Sequence, residues 1–174
     1  MKYAISLIVL CVFLLFIVIP IVTKDKTTNK YIGVKMCSAC HSTQLAVWEK
    51  SKHAEAFKVL SSLRADEVAK AKGLKKPAAE SAECLKCHIT TVKAGQVEKQ
   101  FDPKQGVQCE TCHGAGSAYK PMPIMTDQAK SIAAGMTVFK DEATIEKYCK
   151  TCHNDKSPTH KEFKFKDAWA KVMH

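Results

Sequence analysis

Four copies of one five-residue pattern, C-x-x-C-H, govern what this chain can fold into. They are Cys37-Ser-Ala-Cys40-His41, Cys84-Leu-Lys-Cys87-His88, Cys109-Glu-Thr-Cys112-His113 and Cys149-Lys-Thr-Cys152-His153. Two thiols three positions apart lie on one side of a helical turn, where they can add to the two vinyl groups of one porphyrin. The histidine that follows then lies below the iron as its proximal ligand. Zinc sites or disulfides would use the same cysteine pairs, but neither requires a histidine after each pair. Histidine is only 7 of 174 residues, so four such histidines are not a chance pattern. The repeat therefore implies four covalently attached c-type haems. Cys37, Cys40, Cys84, Cys87, Cys109, Cys112, Cys149 and Cys152 are the attachment points, and His41, His88, His113 and His153 the proximal ligands.

The remaining composition agrees. Apolar residues make up 46% of the chain, charged residues 25% and aromatics only 7%. That is thin material for a core built from side chains alone, and four large planar cofactors would supply what is missing. The expected fold class is mainly α: a multihaem cytochrome c with short helices and loops wrapped around four closely packed haems, without haem unfolded. Helix is expected from Ser42 to Leu60 with a break near Ser51, from Ala65 to Lys72 before Gly73, from Asp127 to Ala134 before Gly135, from Asp141 to Cys152, and from Asp167 to the C-terminus. No credible sheet appears.

The N-terminus sets the compartment. Residues 4–22, AISLIVLCVFLLFIVIPIV, carry no charge and would span about 28 Å as a helix, close to the hydrocarbon thickness of a bilayer. Pro20-Ile21-Val22-Thr23 offers no small-residue cleavage site, and Leu10 before Cys11 does not suit a lipoprotein. An uncleaved anchor fits best. The expected organisation is a transmembrane signal-anchor helix at 1–23, a linker at 24–32 and a tetrahaem domain at 33–174. That domain would lie in the periplasm or outside the cell, tethered to the inner (cytoplasmic) membrane.

The net charge is +10. Lysines at 70, 72, 75 and 76 and at 161, 164 and 166 form basic clusters that fit a solvated face or the steering of acidic redox partners. An extracytoplasmic location excludes nucleic acid as a partner.

Function turns on the sixth ligands. His53, His160 and His174 remain for four irons. His53 lies 12 residues after His41, about 18 Å along a continuous helix, too far for both to grip one iron. It is expected to bind another motif's haem.

Several segments together resemble the tetrahaem cytochrome c-554 family. They are CSACH with Gln44, Trp48 and SKHAEAF, then GVQCETCHGAG, then CKTCHN with SPT and the closing FKFKDAWAKVMH. The resemblance covers roughly residues 33–174. It implies haems stacked in parallel and perpendicular pairs within electron-hopping distance, and electron carriage like that of the founding members, which take electrons from hydroxylamine oxidoreductase in ammonia oxidisers. It also implies that His53 is distal to the third haem, opposite His113, and His174 distal to the fourth, opposite His153. The family's histidine for the first haem comes from the loop after the third motif. Here that loop, GAGSAYKPMPIM, has none, and Met122 stands in its place opposite His41, with Met125 as near rival. The family's second haem is five-coordinate. His160 stands where relatives often have Phe, and would close that site opposite His88. The retained anchor is a further departure, since the founding members are soluble.

Two functions from different classes follow: an electron-transfer protein passing single electrons through four haems, or a haem enzyme reducing nitric oxide, nitrite or peroxide at an open second haem. The C-x-x-C-K motif of a nitrite-reductase-type centre is absent.

Overall fold

The computed structural model describes residues 29–174. The charge-free run at 4–22, and with it the expected anchor and most of the expected linker, lies outside the described residues. Among the described residues no helix is long and apolar enough to cross a membrane.

The chain is mainly helical, and its helices are short. They run α1 (Val34–Ser38), α2 (Ser42–Glu49), α3 (Leu63–Ala71), α4 (Ala82–His88), α5 (Cys109–His113), α6 (Met122–Met125), α7 (Gln128–Ala133), α8 (Glu142–Cys149) and α9 (Phe165–Trp169). Local chemistry explains several boundaries. Ser62, Asp127 and Asp141 accept the backbone N–H of Ala65, Lys130 and Thr144, so α3, α7 and α8 each start on a side-chain cap. α3 ends before Gly73, whose φ of 74° is one that side-chain-bearing residues avoid. The break expected near Ser51 is present: the Ser51 hydroxyl donates to the Trp48 carbonyl and accepts the His53 N–H, and the chain continues in turns. α8 stops at Cys149, short of the expected Cys152, and α9 starts two residues before the expected Asp167.

Among the described residues the only β pairing is an isolated parallel bridge between Tyr31 and Val97. It belongs to a segment that was expected as linker but is woven into the fold. The Asn29 side chain donates to the Ala134 carbonyl, and Lys30 and Ser117 exchange two hydrogen bonds. Asn29, Ile32, Gly33 and Val34 are buried.

The interior is unusual in kind. The largest of the fully buried side chains are Gln108, Glu110, Thr90 and Ser131, all polar. One hydrophobic cluster, Leu60, Ala69 and Ala78, joins α3 to α4, with Leu74, Cys84 and Leu85 packed against it.

Candidate haem-binding site

Each motif forms a single helical turn, whether or not the helix around it continues. α4 contains the whole second motif and α5 is the third. In the first and fourth motifs the helix ends early. Even so, His41 N–H still donates to the Cys37 carbonyl and His153 N–H to the Cys149 carbonyl, both at 3.0 Å. The geometry that haem attachment requires, two thiols and an imidazole on successive positions of one turn, is thus repeated four times. All eight described cysteines are free thiols, and among the described residues no three His, Cys, Asp or Glu side chains converge as a metal-ion cage.

The four turns are gathered together. α1 packs on α5, and Cys37 and Cys109 lie side by side, a proximity that, with burial, raises the Cys37 pKa. Cys112 lies near Cys149 and Cys152, and burial pushes its thiol up to about 11. Cys87 lies beside Cys152, and burial together with that neighbour raises Cys87 to about 11. The first motif therefore lies beside the third, the third beside the fourth, and the fourth beside the second.

Two pairs of imidazoles face each other across this cluster. The ring centroids of His53 and His153 are 6.2 Å apart, and those of His113 and His174 are 6.0 Å apart. Two imidazoles on opposite sides of one metal, each with a metal–nitrogen bond of about 2 Å, have ring centres about 6 Å apart. The residues present therefore fit bis-histidine haems at the third and fourth motifs. The pairing is the exchange of the one the resemblance implies: His53 stands opposite His153, not His113, and His174 opposite His113, not His153. The physical reason is the course of the Trp48–Ala56 segment. The Trp48 indole N–H donates to the Val107 carbonyl, and Val107 N–H donates to the His53 carbonyl at 3.0 Å. This fixes the backbone of His53 against the segment leading into the third motif, and its ring lies beside that of His153 in the fourth. Burial and the neighbouring His153 lower the His53 pKa, and burial with His174 lowers that of His113, so both rings are favoured in the neutral form that can bind a metal.

The other expected ligands are placed differently. His88 is oriented by a backbone group, its Nδ1–H donating to the Ala56 carbonyl at 2.6 Å. This leaves Nε2 free, the usual second-sphere arrangement of a metal-binding histidine. Among the described residues no second imidazole stands opposite His88 or His41 at metal-bridging distance. His160 lies near His153 and lines an open cavity of about 360 Å³ with Cys152, His153 and Phe163, and Phe163 stacks on His153 with centroids 4.7 Å apart. Met122 begins α6 with 59% of its surface exposed, and Met125, half-buried, ends it.

Sequence reasoning missed the polar frame. The Glu110 carboxylate, inside the third motif, accepts the backbone N–H groups of Ile32, Gly33 and Gly116 at 2.7–3.0 Å. Gln108 accepts the Val34 N–H and donates to the Asp102 carbonyl. The available signal was the position of Glu110 and Gln108 beside cysteines that must be enclosed. Gly106, at φ 78°, was legible only as a turn. A Cβ there would lie 2.3 Å from the His53 carbonyl oxygen.

A mainly helical chain whose C-x-x-C-H turns converge under opposed imidazoles is a c-type cytochrome. Residues 36–114, which include the first three motifs, match the family described as cytochrome c554 and c-prime, and over them the chain belongs to the cytochrome c554 family. The chain is 31% identical over 133 residues to cytochrome c-554 of Nitrosomonas europaea, an alignment covering 70% of this chain and 56% of the relative. It thus spans little more than half the length of that curated relative. No solved structure matches. Membership carries with it covalent c-type haem.

Proposed function

We propose that this chain is a membrane-tethered, extracytoplasmic carrier that passes single electrons through four c-type haems held by residues 33–174. The bound haem supplies an iron that cycles between ferric and ferrous states, and the chain's own residues determine where it sits and what can reach it. The single observation that carries the reading is the convergence of all four motif turns, with two pairs of imidazole rings already 6.2 and 6.0 Å apart. A wire needs close, fully ligated centres and no substrate pocket.

In this reading His41, His88, His113 and His153 are proximal ligands, and His153 and His113 are completed by His53 and His174. Met122, with Met125 as rival, serves His41. A thioether there raises the potential relative to two imidazoles, which would spread the potentials along the path. His160 is the remaining candidate for the position opposite His88, and would have to leave the side of His153 to occupy it. The basic clusters at 70–76 and 161–166 suit acidic redox partners, and the 4–22 run would hold the domain at the inner membrane.

The absence, among the described residues, of an imidazole opposite His88 keeps a second reading in view, reduction of a small molecule at that position. Electron paramagnetic resonance of the oxidised, haem-loaded protein, with and without nitric oxide, separates the two. Only low-spin signals with no fast adduct are expected of the wire. A high-spin ferric signal that nitric oxide perturbs, mapped to the second motif, would reject His160 as a ligand and favour the enzyme.

A further inference from the structure

The third motif differs from the other three in what its two intervening residues do. In CSACH, CLKCH and CKTCH those residues are half-buried or exposed. In CETCH they reach the other three motifs. Glu110, 2% exposed, binds Ile32 and Gly33 N–H, the residues immediately before α1 and its Cys37, and binds Gly116 N–H on its own side at 2.7 Å. The Thr111 hydroxyl pairs at 2.8 Å with that of Thr90, two residues after His88. Thr90 is itself 1% exposed, donates its N–H to the Gly106 carbonyl at 3.0 Å and accepts the Gln108 N–H at 2.8 Å. The Thr111 carbonyl accepts the hydroxyl of Tyr148, the residue before Cys149.

One dipeptide therefore holds three separate attachments: Glu110 to the first motif, the Thr111 side chain to the second, and the Thr111 backbone to the fourth. A buried carboxylate satisfied by three amides is costly to move, since each donor would be left without a partner. The Thr111 hydroxyl, half-buried itself, is held by the buried Thr90 hydroxyl, which would lose a partner if the pair opened. Each attachment meets its motif within a few residues of the haem-bearing cysteine or histidine, so a displacement there is a displacement of that haem.

Resting on the electron-wire reading above, we propose that Glu110 and Thr111 are positioning residues that set the separations of the other three haems from the third. They do not bind the cofactors. They make the third motif the junction of the path, with the first haem placed by a carboxylate, the second by a hydroxyl pair and the fourth by a tyrosine.

The three attachments can be cut one at a time in the full, haem-loaded chain. Glu110→Gln keeps the shape and removes carboxylate acceptor capacity. Thr111→Val removes the hydroxyl but leaves the carbonyl for Tyr148, and Tyr148→Phe does the reverse. Intact mass first establishes haem loading, and fewer than four haems in the parent chain contradicts the electron-wire reading itself. With four present, electron paramagnetic resonance of the oxidised protein and a potentiometric titration read each haem. The expected result is selective: the interaction-broadened signal of the first and third haems is lost in Glu110→Gln, that of the second and third in Thr111→Val, and that of the third and fourth in Tyr148→Phe. Thr111→Ser restores the parent spectrum. Tyr148→Phe, which deletes one hydroxyl from an exposed residue, decides the matter should Glu110→Gln fail to assemble. Unchanged spectra and potentials in the loaded variants, or a uniform disturbance of all four haems in each, would overturn the proposal.

Discussion

The surroundings of the second and third motifs solve the same problem with opposite materials. Beneath the second motif, α3 and α4 meet through Leu60, Ala69 and Ala78, with Leu74, Cys84 and Leu85 packed on them. Around the third motif the buried groups are Glu110, Gln108 and Thr90, each satisfied by backbone N–H, carbonyl or hydroxyl partners. An apolar cluster is non-directional and holds elements together without dictating their register. A carboxylate that accepts three named amides does dictate register. The polar frame surrounds the motif that meets both the first and the fourth, where relative placement matters most. The apolar cluster supports the second motif.

The comparison can be broken at definite points. The largest effect is expected from Gly106→Ala. The new Cβ would lie 2.3 Å from the His53 carbonyl oxygen at a φ of 78°, so the 53–107 backbone contact must open. His53 is then withdrawn from the fourth motif, and loss of the low-spin signal of that haem checks it. Next comes Glu110→Ala, which strands three buried amides and is expected to cost about 3 kcal/mol or more, read from denaturant unfolding of the loaded protein. Leu60→Ala, a truncation in the apolar cluster, is expected to cost about 2–5 kcal/mol while leaving the spectra of the first, third and fourth haems unchanged. If Leu60→Ala disturbs those haems as Glu110→Ala does, the two regions are not different in kind. His53→Ala sharpens the exchanged pairing, because it should turn the fourth haem high-spin and spare the third.

The smallest effect is at the caps. Asp141 is held below the usual carboxylate range by the Thr144 hydroxyl and N–H. A depressed carboxyl stabilises the fold above its unfolded pKa, and that contribution is lost as pH falls through the folded value. Acidification should therefore loosen α8 slightly, and Asp141→Asn, which keeps an acceptor without a charge, should remove that pH dependence from thermal unfolding.

What was legible in the sequence was whatever repeats or breaks locally. The four C-x-x-C-H turns, the helix starts near Asp127 and Asp141, the stop before Gly73 and the break near Ser51 all depend on neighbours a few residues away. The ring pairing was not legible, because spacing along the chain limits reach without choosing between irons. The resemblance sets His53 opposite His113 and His174 opposite His153, whereas the His53 ring lies 6.2 Å from that of His153 and the His174 ring 6.0 Å from that of His113. His88 was read as a ligand, but its orienting group, the Ala56 carbonyl, has no side-chain signature. Glu110 sits between two cysteines of its motif, and only its burial against Ile32 and Gly33, 78 and 77 positions earlier, reveals its task.

The central claim is that four C-x-x-C-H turns hold four covalent haems in one continuous path. The intact mass of the mature protein, followed by mapping of the modified peptides, tests it most directly. The account predicts a mass increase of four haem groups, one on each of the Cys37, Cys84, Cys109 and Cys149 peptides. Fewer haems, or any of these pairs recovered as a disulfide or with bound zinc, would contradict it.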